Sequence, residues 1–474
     1  MKSIIAERSE AIAEQAPSAR WALASLSLSM LLPSLGTSIA NVGLPSLAQA
    51  FDAAFQDVQW IVLAYLLAIT TLIVSVGRLG DIIGRRRLLL IGILLFTLAS
   101  ILCGVAPTLW LMIAARAVQG LGAAIMMALT MAFVGETVPK ERTGSAMGLL
   151  GTMSAIGTAL GPSLGGLLIA GLGWPAIFLV NVPLGVLTFV LAYRHLPADI
   201  SKGKTDRKDF DIAGTLLLAL TLSAYALAMT IGHGRFGLLN IAQLSAAVFC
   251  TGLFVFAEAR AASPLIQLTV FRNRVLTASL AMNALVSTVM MATLVVAPLY
   301  LSHALGLNQA LVGIVMSIGP VISILSGVPA GRLVDRLDAP FVVVAGLVAM
   351  AAASVAMAVL SGISGYIAAI AMLTPGYQLF QAANNTAVMA DVRSEQRGVI
   401  SGMLNLSRNL GLIAGASVMG AVFAFSSGTS DVTAAHPEAI ASGMRMTFAV
   451  ATVLVVVALA IAAGTYCRRA LGKS

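Results

Sequence analysis

Charge is scarce in this chain. Only 10% of its 474 residues are Asp, Glu, Lys or Arg, against 59% apolar. A water-soluble domain of that composition has no polar shell to cover its core, which excludes an ordinary globular fold. Acids are scarcer than bases, 19 against 28, and no acid falls in the middle of a long apolar run. The three cysteines, Cys103, Cys250 and Cys467, are too few for a disulfide framework and read as unpaired. The four histidines, His195, His233, His303 and His436, are scattered at the ends of apolar runs without ligand spacing. Neither a metal centre nor a nucleophile–base constellation is legible, so a membrane enzyme is disfavoured, with no catalytic residue and no cofactor expected. Residues 1–20 hold Glu7, Glu10 and Glu14 and lack the apolar core of a cleavable leader. Alternating strand periodicity is missing too, which excludes a transmembrane barrel.

What fills the chain is a series of 14 apolar segments: 21–41, 58–77, 88–106, 109–134, 147–170, 175–195, 212–232, 238–258, 275–301, 310–331, 341–360, 365–389, 400–425 and 445–466. Each is close to the ~20 residues a helix needs to cross a bilayer core. The expectation is an all-α polytopic membrane protein. With the N-terminus inside, 24 of the 28 basic residues fall in the tails and the inner loops. That is the positive-inside pattern with both termini cytoplasmic, and it requires an even helix count. The net charge of +9 then orients the chain in its membrane and gives no reason to invoke nucleic acid.

The sequence repeats itself at an offset of 254. Gly77, Arg78, Leu79 and Asp81 fall on Gly331, Arg332, Leu333 and Asp335; Glu141, Gly144 and Gly148 on Glu395, Gly398 and Gly402; Gly157, Gly161 and Gly166 on Gly411, Gly415 and Gly420. An even number of segments separates the copies, so the repeat is parallel, about an axis along the membrane normal. The organisation expected is an N-tail (1–20), a six-helix bundle (21–198), inserted helices 7 and 8 with their loops (199–262), a second six-helix bundle (263–466) and a C-tail (467–474).

Four motifs stand out. Gly77-Arg78-Leu79-Gly80-Asp81-Ile82-Ile83-Gly84-Arg85-Arg86-Arg87 joins segments 2 and 3, with glycines for close approach and a lone carboxylate in a basic turn. Arg116 and Gln119 lie in segment 4, where an ionisable residue is costly unless it meets a partner or a wet cavity; snorkelling to the interface is the competing reading. Gly157, Gly161, Pro162, Gly165 and Gly166 make a small-residue face on segment 5. Segments 9, 12 and 13 carry Asn283, then Tyr377, Gln378, Gln381, Asn384 and Asn385, then Asn405 and Arg408. Buried amides need partners, so they read either as a cavity wall or as interhelical glue.

These motifs closely resemble those of the major facilitator superfamily. Together with Trp174 and Asn181-Val182-Pro183-Leu184-Gly185, Phe210-Asp211-Ile212-Ala213-Gly214 and Phe271-Arg272-Asn273-Arg274, they resemble its 14-helix drug:proton antiporter branch, over residues 20–466. The resemblance implies two six-helix bundles related by the parallel repeat plus two inserted helices, with the substrate site between the bundles. It implies a conformational gate at Gly77, Asp81, Gly84, Arg85, Arg86 and Asp335. It implies coupling or cavity roles for Arg116, Gln119, Arg408, Asn405 and Asn283, and a substrate cavity including Asn41, Tyr65, Tyr377, Gln378, Gln381, Asn384 and Asn385. The segment 5 glycines correspond to the motif that marks antiporters. The function implied is proton-coupled export of amphipathic drugs or toxic metabolites by alternating access, from a monomer in a bacterial inner membrane. Its partners would be a small-molecule substrate, protons and lipid.

One position departs from that family. Gly36 stands where an aspartate is usual, in Leu35-Gly36-Thr37-Ser38. The fixed charges left for the cavity are Arg116 and Arg408, which favour neutral or anionic solutes over cations. The alternatives kept open are export of such solutes with atypical or no proton coupling, and a sensor that binds without transporting.

Overall fold

The computed structural model describes residues 2–53, 55–58, 60–139, 142–198, 211–230, 237–261, 264, 266, 268–307, 309–390, 392–393, 396–427 and 436–471. Side chains of some helical residues are also outside the description, among them those of 2–19, Arg78, Asp81, Glu136, Pro162 and Cys467. The loop residues Lys202, His233, Arg235, Asp391, Glu395 and Asp431 lie outside it entirely.

All described regular structure is helical. The long helices are α1 (Lys2–Ala50), α2 (Trp60–Ile83), α3 (Arg85–Gly104), α4 (Leu109–Thr137), α5 (Thr143–Leu172), α6 (Asn181–His195), α7 (Ile212–Thr230), α8 (Leu238–Arg260), α9 (Arg274–Leu299), α10 (Gln309–Arg336), α11 (Ala339–Val359), α12 (Gly362–Met389), α13 (Arg397–Ser427) and α14 (Pro437–Leu471). Short turns of helix at Phe55–Val58, Ala176–Leu179, Leu268–Arg272 and Tyr300–Ala304 punctuate them. Among the described residues 11 helices are long and apolar enough to cross a membrane, and Ala213–Tyr225 is a shorter apolar stretch. Large exposed apolar side chains such as Phe249, Val248, Leu325 and Phe425 suit a lipid surrounding.

The chain divides into two compact units. The first holds Met1–Arg207 with Arg393–Gly402; the second holds Lys208–Val392 with Met403–Ser474. The opening residues of α13 therefore belong to the first unit and the rest of that helix to the second.

Within the first unit α5 lies on α1. A Cβ added at Gly157 would come 2.5 Å from the Leu31 carbonyl oxygen, and one at Gly161 2.5 Å from Ser38 Cβ. Ser38 Oγ donates to the Thr158 carbonyl at 2.6 Å, and the Ser34 and Ser154 hydroxyls meet at 2.7 Å. Lipid tails offer no hydrophobic drive between helices, so close backbone contact and such hydrogen bonds hold them together. In the same way α4 packs on α3, where a Gly122 Cβ would fall 2.8 Å from the Gly92 carbonyl oxygen.

The second unit repeats both contacts. A Cβ added at Gly415 on α13 would come 2.7 Å from the Thr288 carbonyl oxygen of α9, and one at Gly376 on α12 would come 3.0 Å from that of Gly346 on α11. The pairs Gly92–Gly122 and Gly346–Gly376 are themselves 254 residues apart, so the repeat read in the sequence is also a repeat of packing. The helices α7 and α8 pack on each other, with Asn240 Nδ2 donating to the Ala228 carbonyl at 2.6 Å. Tyr225 attaches α7 to α13 through the Leu410 carbonyl at 3.4 Å.

Candidate functional site

Buried polar groups gather at one place in each unit. In the first the centre is Arg116, 0% exposed on α4. Its Nε donates to the Ile61 carbonyl of α2 at 3.0 Å, and Nη1 donates to Gln119 Oε1 one turn along. Gln119 Nε2 in turn donates to Ser100 Oγ of α3 at 2.7 Å. The guanidinium carbon sits 4.0 Å from the Tyr65 ring centroid and 5.8 Å from that of Phe178. Nη2 is buried and makes no hydrogen bond within the described structure. No acid was expected in mid-segment, and among the described residues Arg116 meets a carbonyl, an amide and two π faces in place of a carboxylate.

Tyr65 links this cluster to α1. Its hydroxyl donates to the Pro33 carbonyl at 2.9 Å, the same oxygen that Thr37 Oγ1 reaches at 3.0 Å. Gly36 lies against this bond. A Cβ there would meet Phe96 Cζ at 3.4 Å and the Tyr65 hydroxyl at 3.5 Å, which is ordinary van der Waals contact. Asn41, further along α1, is exposed and donates back to the Thr37 carbonyl at 3.1 Å.

The α2–α3 junction carries the residues expected to form a gate. Gly84 has φ of 114°, a left-handed conformation open to glycine, and breaks the chain between the two helices. Arg85 is buried, and Arg86 lies 5.4 Å from the Tyr193 ring centroid of α6 while also donating to the Tyr193 carbonyl. Asp81 is in the last turn of α2, its side chain outside the description. Gly77 faces the opening of α13. A Cβ on it would press into the Gly398 carbonyl group, 2.6 Å from its carbon. A Cβ on Gly402, one turn on, would come 2.7 Å from the Ile73 carbonyl oxygen, and Ser401 donates to the Ala128 carbonyl. Of the α5 motif, Gly157, Gly161 and Gly165 face α1, while Gly166 has nothing within 4 Å of an added Cβ.

In the second unit α9, α12 and α13 bring the amides together. Asn283 Nδ2 donates to the Leu404 carbonyl at 2.8 Å, and Asn384 Nδ2 to the Ser279 carbonyl at 3.5 Å. Gln381 Nε2 donates to the Tyr377 hydroxyl at 3.0 Å. Gln378 turns instead to Ser323 on α10. Asn405 is buried, Asn385 and Arg408 are half-buried, and the Arg408 Nε is enclosed without a hydrogen bond. Asp335 is half-buried in the last turn of α10.

Ser100, Pro33, Phe178, Ser279 and Ser323 complete these clusters and carried no signal in the sequence, because a serine, a backbone carbonyl or a phenylalanine in an apolar run looks like packing. No three of His, Cys, Asp and Glu among the described residues could hold a metal ion.

Comparison with known proteins places this arrangement. The family model described as Major Facilitator Superfamily matches residues 26–416. The riboflavin transporter RibZ of Clostridioides difficile is 31% identical over 84% of this chain and 86% of its own. The multidrug resistance protein Stp of Mycobacterium tuberculosis is 31% identical over 84% of this chain and 74% of its own. Among solved structures, that of the proton:xylose symporter XylE has a TM-score of 0.68 at 14% identity, covering 94% of this chain and 95% of that one. The crystal structure of the human organic anion transporter MFSD10 gives 0.67 at 14% identity, covering 94% and 99%.

Proposed function

The chain belongs to the major facilitator superfamily, a family of membrane transporters, and from that premise we propose that it is a secondary active exporter of amphipathic small molecules working by alternating access. The fourteen long helices would each cross the membrane, with both termini in the cytoplasm of a bacterial cell and residues 199–262 supplying the two added crossings. Several relatives named as multidrug efflux pumps, Stp among them, support export as the direction.

The preferred solutes are neutral or anionic. The observation that carries this is Arg116, a fully enclosed cation held without a carboxylate. At an effective dielectric of ~20, a monovalent solute ~8 Å from such a charge gains or loses about 2 kcal/mol. That corresponds to a ~30-fold preference. At position 36, where a carboxylate would offset this charge, the neighbours are the Tyr65 hydroxyl and Phe96. Coupling to protons would then use another titratable group, with Glu136, Asp391 and His303 as candidates.

Proteoliposomes with an imposed pH gradient test the proposal on matched cationic, neutral and anionic fluorophores. The expected result is gradient-dependent movement of the neutral and anionic probes and little of the cationic one. Strongly gradient-driven export confined to cations would overturn the charge preference, and movement of no probe would overturn export.

A further inference from the structure

We infer that the second unit carries a recognition site for hydrogen-bond donors, formed by the free carbonyl oxygens of Asn283, Gln381 and Asn384. This rests on the export reading and names the chemistry of its substrates: neutral molecules bearing N–H or O–H groups.

The amide geometry carries it. Asn283 and Asn384 are 1% and 0% exposed, and Gln381 is 9% exposed. Asn283 and Asn384 each hand a proton to a backbone carbonyl. A carbonyl can only accept, so in both the NH2 must point into the protein and the oxygen the other way. Gln381 Nε2 is placed 3.0 Å from the Tyr377 hydroxyl, a group that can accept from it. The oxygens that remain, Asn283 Oδ1, Gln381 Oε1 and Asn384 Oδ1, are all buried with no hydrogen-bond partner among the described residues.

Their placement is concerted. Gln381 and Asn384 are three apart on α12 and share a face. Asn384 bonds to Ser279 on α9, and Asn283 is the next turn along that helix. The hydroxyls of Ser279 and Ser287 lie on the same α9 stripe, buried and also without partners among the described residues. Leaving a buried acceptor unmet costs roughly as much as a hydrogen bond is worth, so a ligand bringing donors is favoured over an isostere without them.

The test measures binding of an aminocoumarin and of its N,N-dimethyl analogue to the purified full-length protein by fluorescence. The two share a ring system and neutral charge and differ in their N–H donors. The wild type should bind the aminocoumarin about tenfold tighter, the value of one good hydrogen bond. Gln381→Met, which keeps an unbranched side chain of similar length, and Asn384→Leu should each erase that difference while leaving the dimethyl compound within about twofold. Equal binding of the two probes by the wild type overturns the inference, as does parallel loss of both probes in the better-folded of the two variants. Export of the same probes from vesicles separates the two claims. Discrimination in binding without movement would sink export alone, and movement without discrimination would sink donor recognition alone.

Discussion

Replacing Gly77 by alanine should dislodge the opening of α13 from α2. The added methyl would overlap the Gly398 carbonyl oxygen and lie 2.6 Å from its carbon and 3.1 Å from the Val399 nitrogen. An unstrained carbon–oxygen approach is about 3.3 Å or more. The atoms struck are backbone, so no rotamer change relieves the clash, and the helices must separate by about 1 Å. Gly402 makes the same kind of close approach one turn away, where an added Cβ would come 2.7 Å from the Ile73 carbonyl oxygen, and this opposes a simple tilt. Overpacking of this kind costs about 1–3 kcal/mol. Occupancy of the packed arrangement should therefore fall about 5- to 150-fold relative to any in which these turns part. Ile400, 3% exposed, is the reporter. With Cys103, Cys250 and Cys467 replaced, an Ile400→Cys protein should react with N-ethylmaleimide at least about fivefold faster once Gly77→Ala is added. Gly166→Ala serves as the control, since an added Cβ there has no neighbour within 4 Å. If Gly77→Ala and Gly166→Ala label at the same rate, the close contact is not what holds α13.

Position 36 has room for a side chain, since an added Cβ meets only Phe96 and the Tyr65 hydroxyl at 3.4 and 3.5 Å. Gly36→Ala should thus insert and transport normally, while Gly36→Asp should gain export of monovalent cationic dyes, or a steeper dependence on the pH gradient, in the vesicle assay. Gly36→Asn matches the size without the charge, and identical behaviour of the Asp and Asn proteins would refute the electrostatic argument. Arg116→Lys keeps the charge but loses the planar fork that reaches Ile61 and Gln119 together and stacks on Tyr65. It should lower the thermal midpoint in detergent, by an amount comparable to a buried hydrogen bond and a desolvated cation–π pair, about 2–4 kcal/mol. An unshifted midpoint would mean that the network contributes little. Accessibility tags at Gly362 should report outside and tags at Arg393 inside; a reversed pattern would refute the topology with cytoplasmic termini.

The class, the helices and the repeat were legible in the pattern of residues alone. Each long apolar run became a helix because a backbone in lipid must satisfy its own hydrogen bonds, a constraint that acts locally and leaves a readable pattern. The glycine pairs at offset 254 were legible for a related reason, since only residues without a Cβ allow the Gly157–Leu31 or Gly415–Thr288 approach. The need for Arg116 and the amides to find partners was legible too. Which partners they found was not. Arg116 took a carbonyl from α2, an amide from its own helix and the face of Tyr65, and Gln378 turned from Gln381 towards Ser323. Those choices depend on how helices distant in sequence are rotated and spaced. A serine hydroxyl or a bare carbonyl that meets a guanidinium looks, in sequence, the same as one that meets nothing. Only the tertiary structure shows that the amides of Asn283 and Asn384 face inward with their nitrogens, because that orientation is fixed by carbonyls 121 and 105 residues away along the chain.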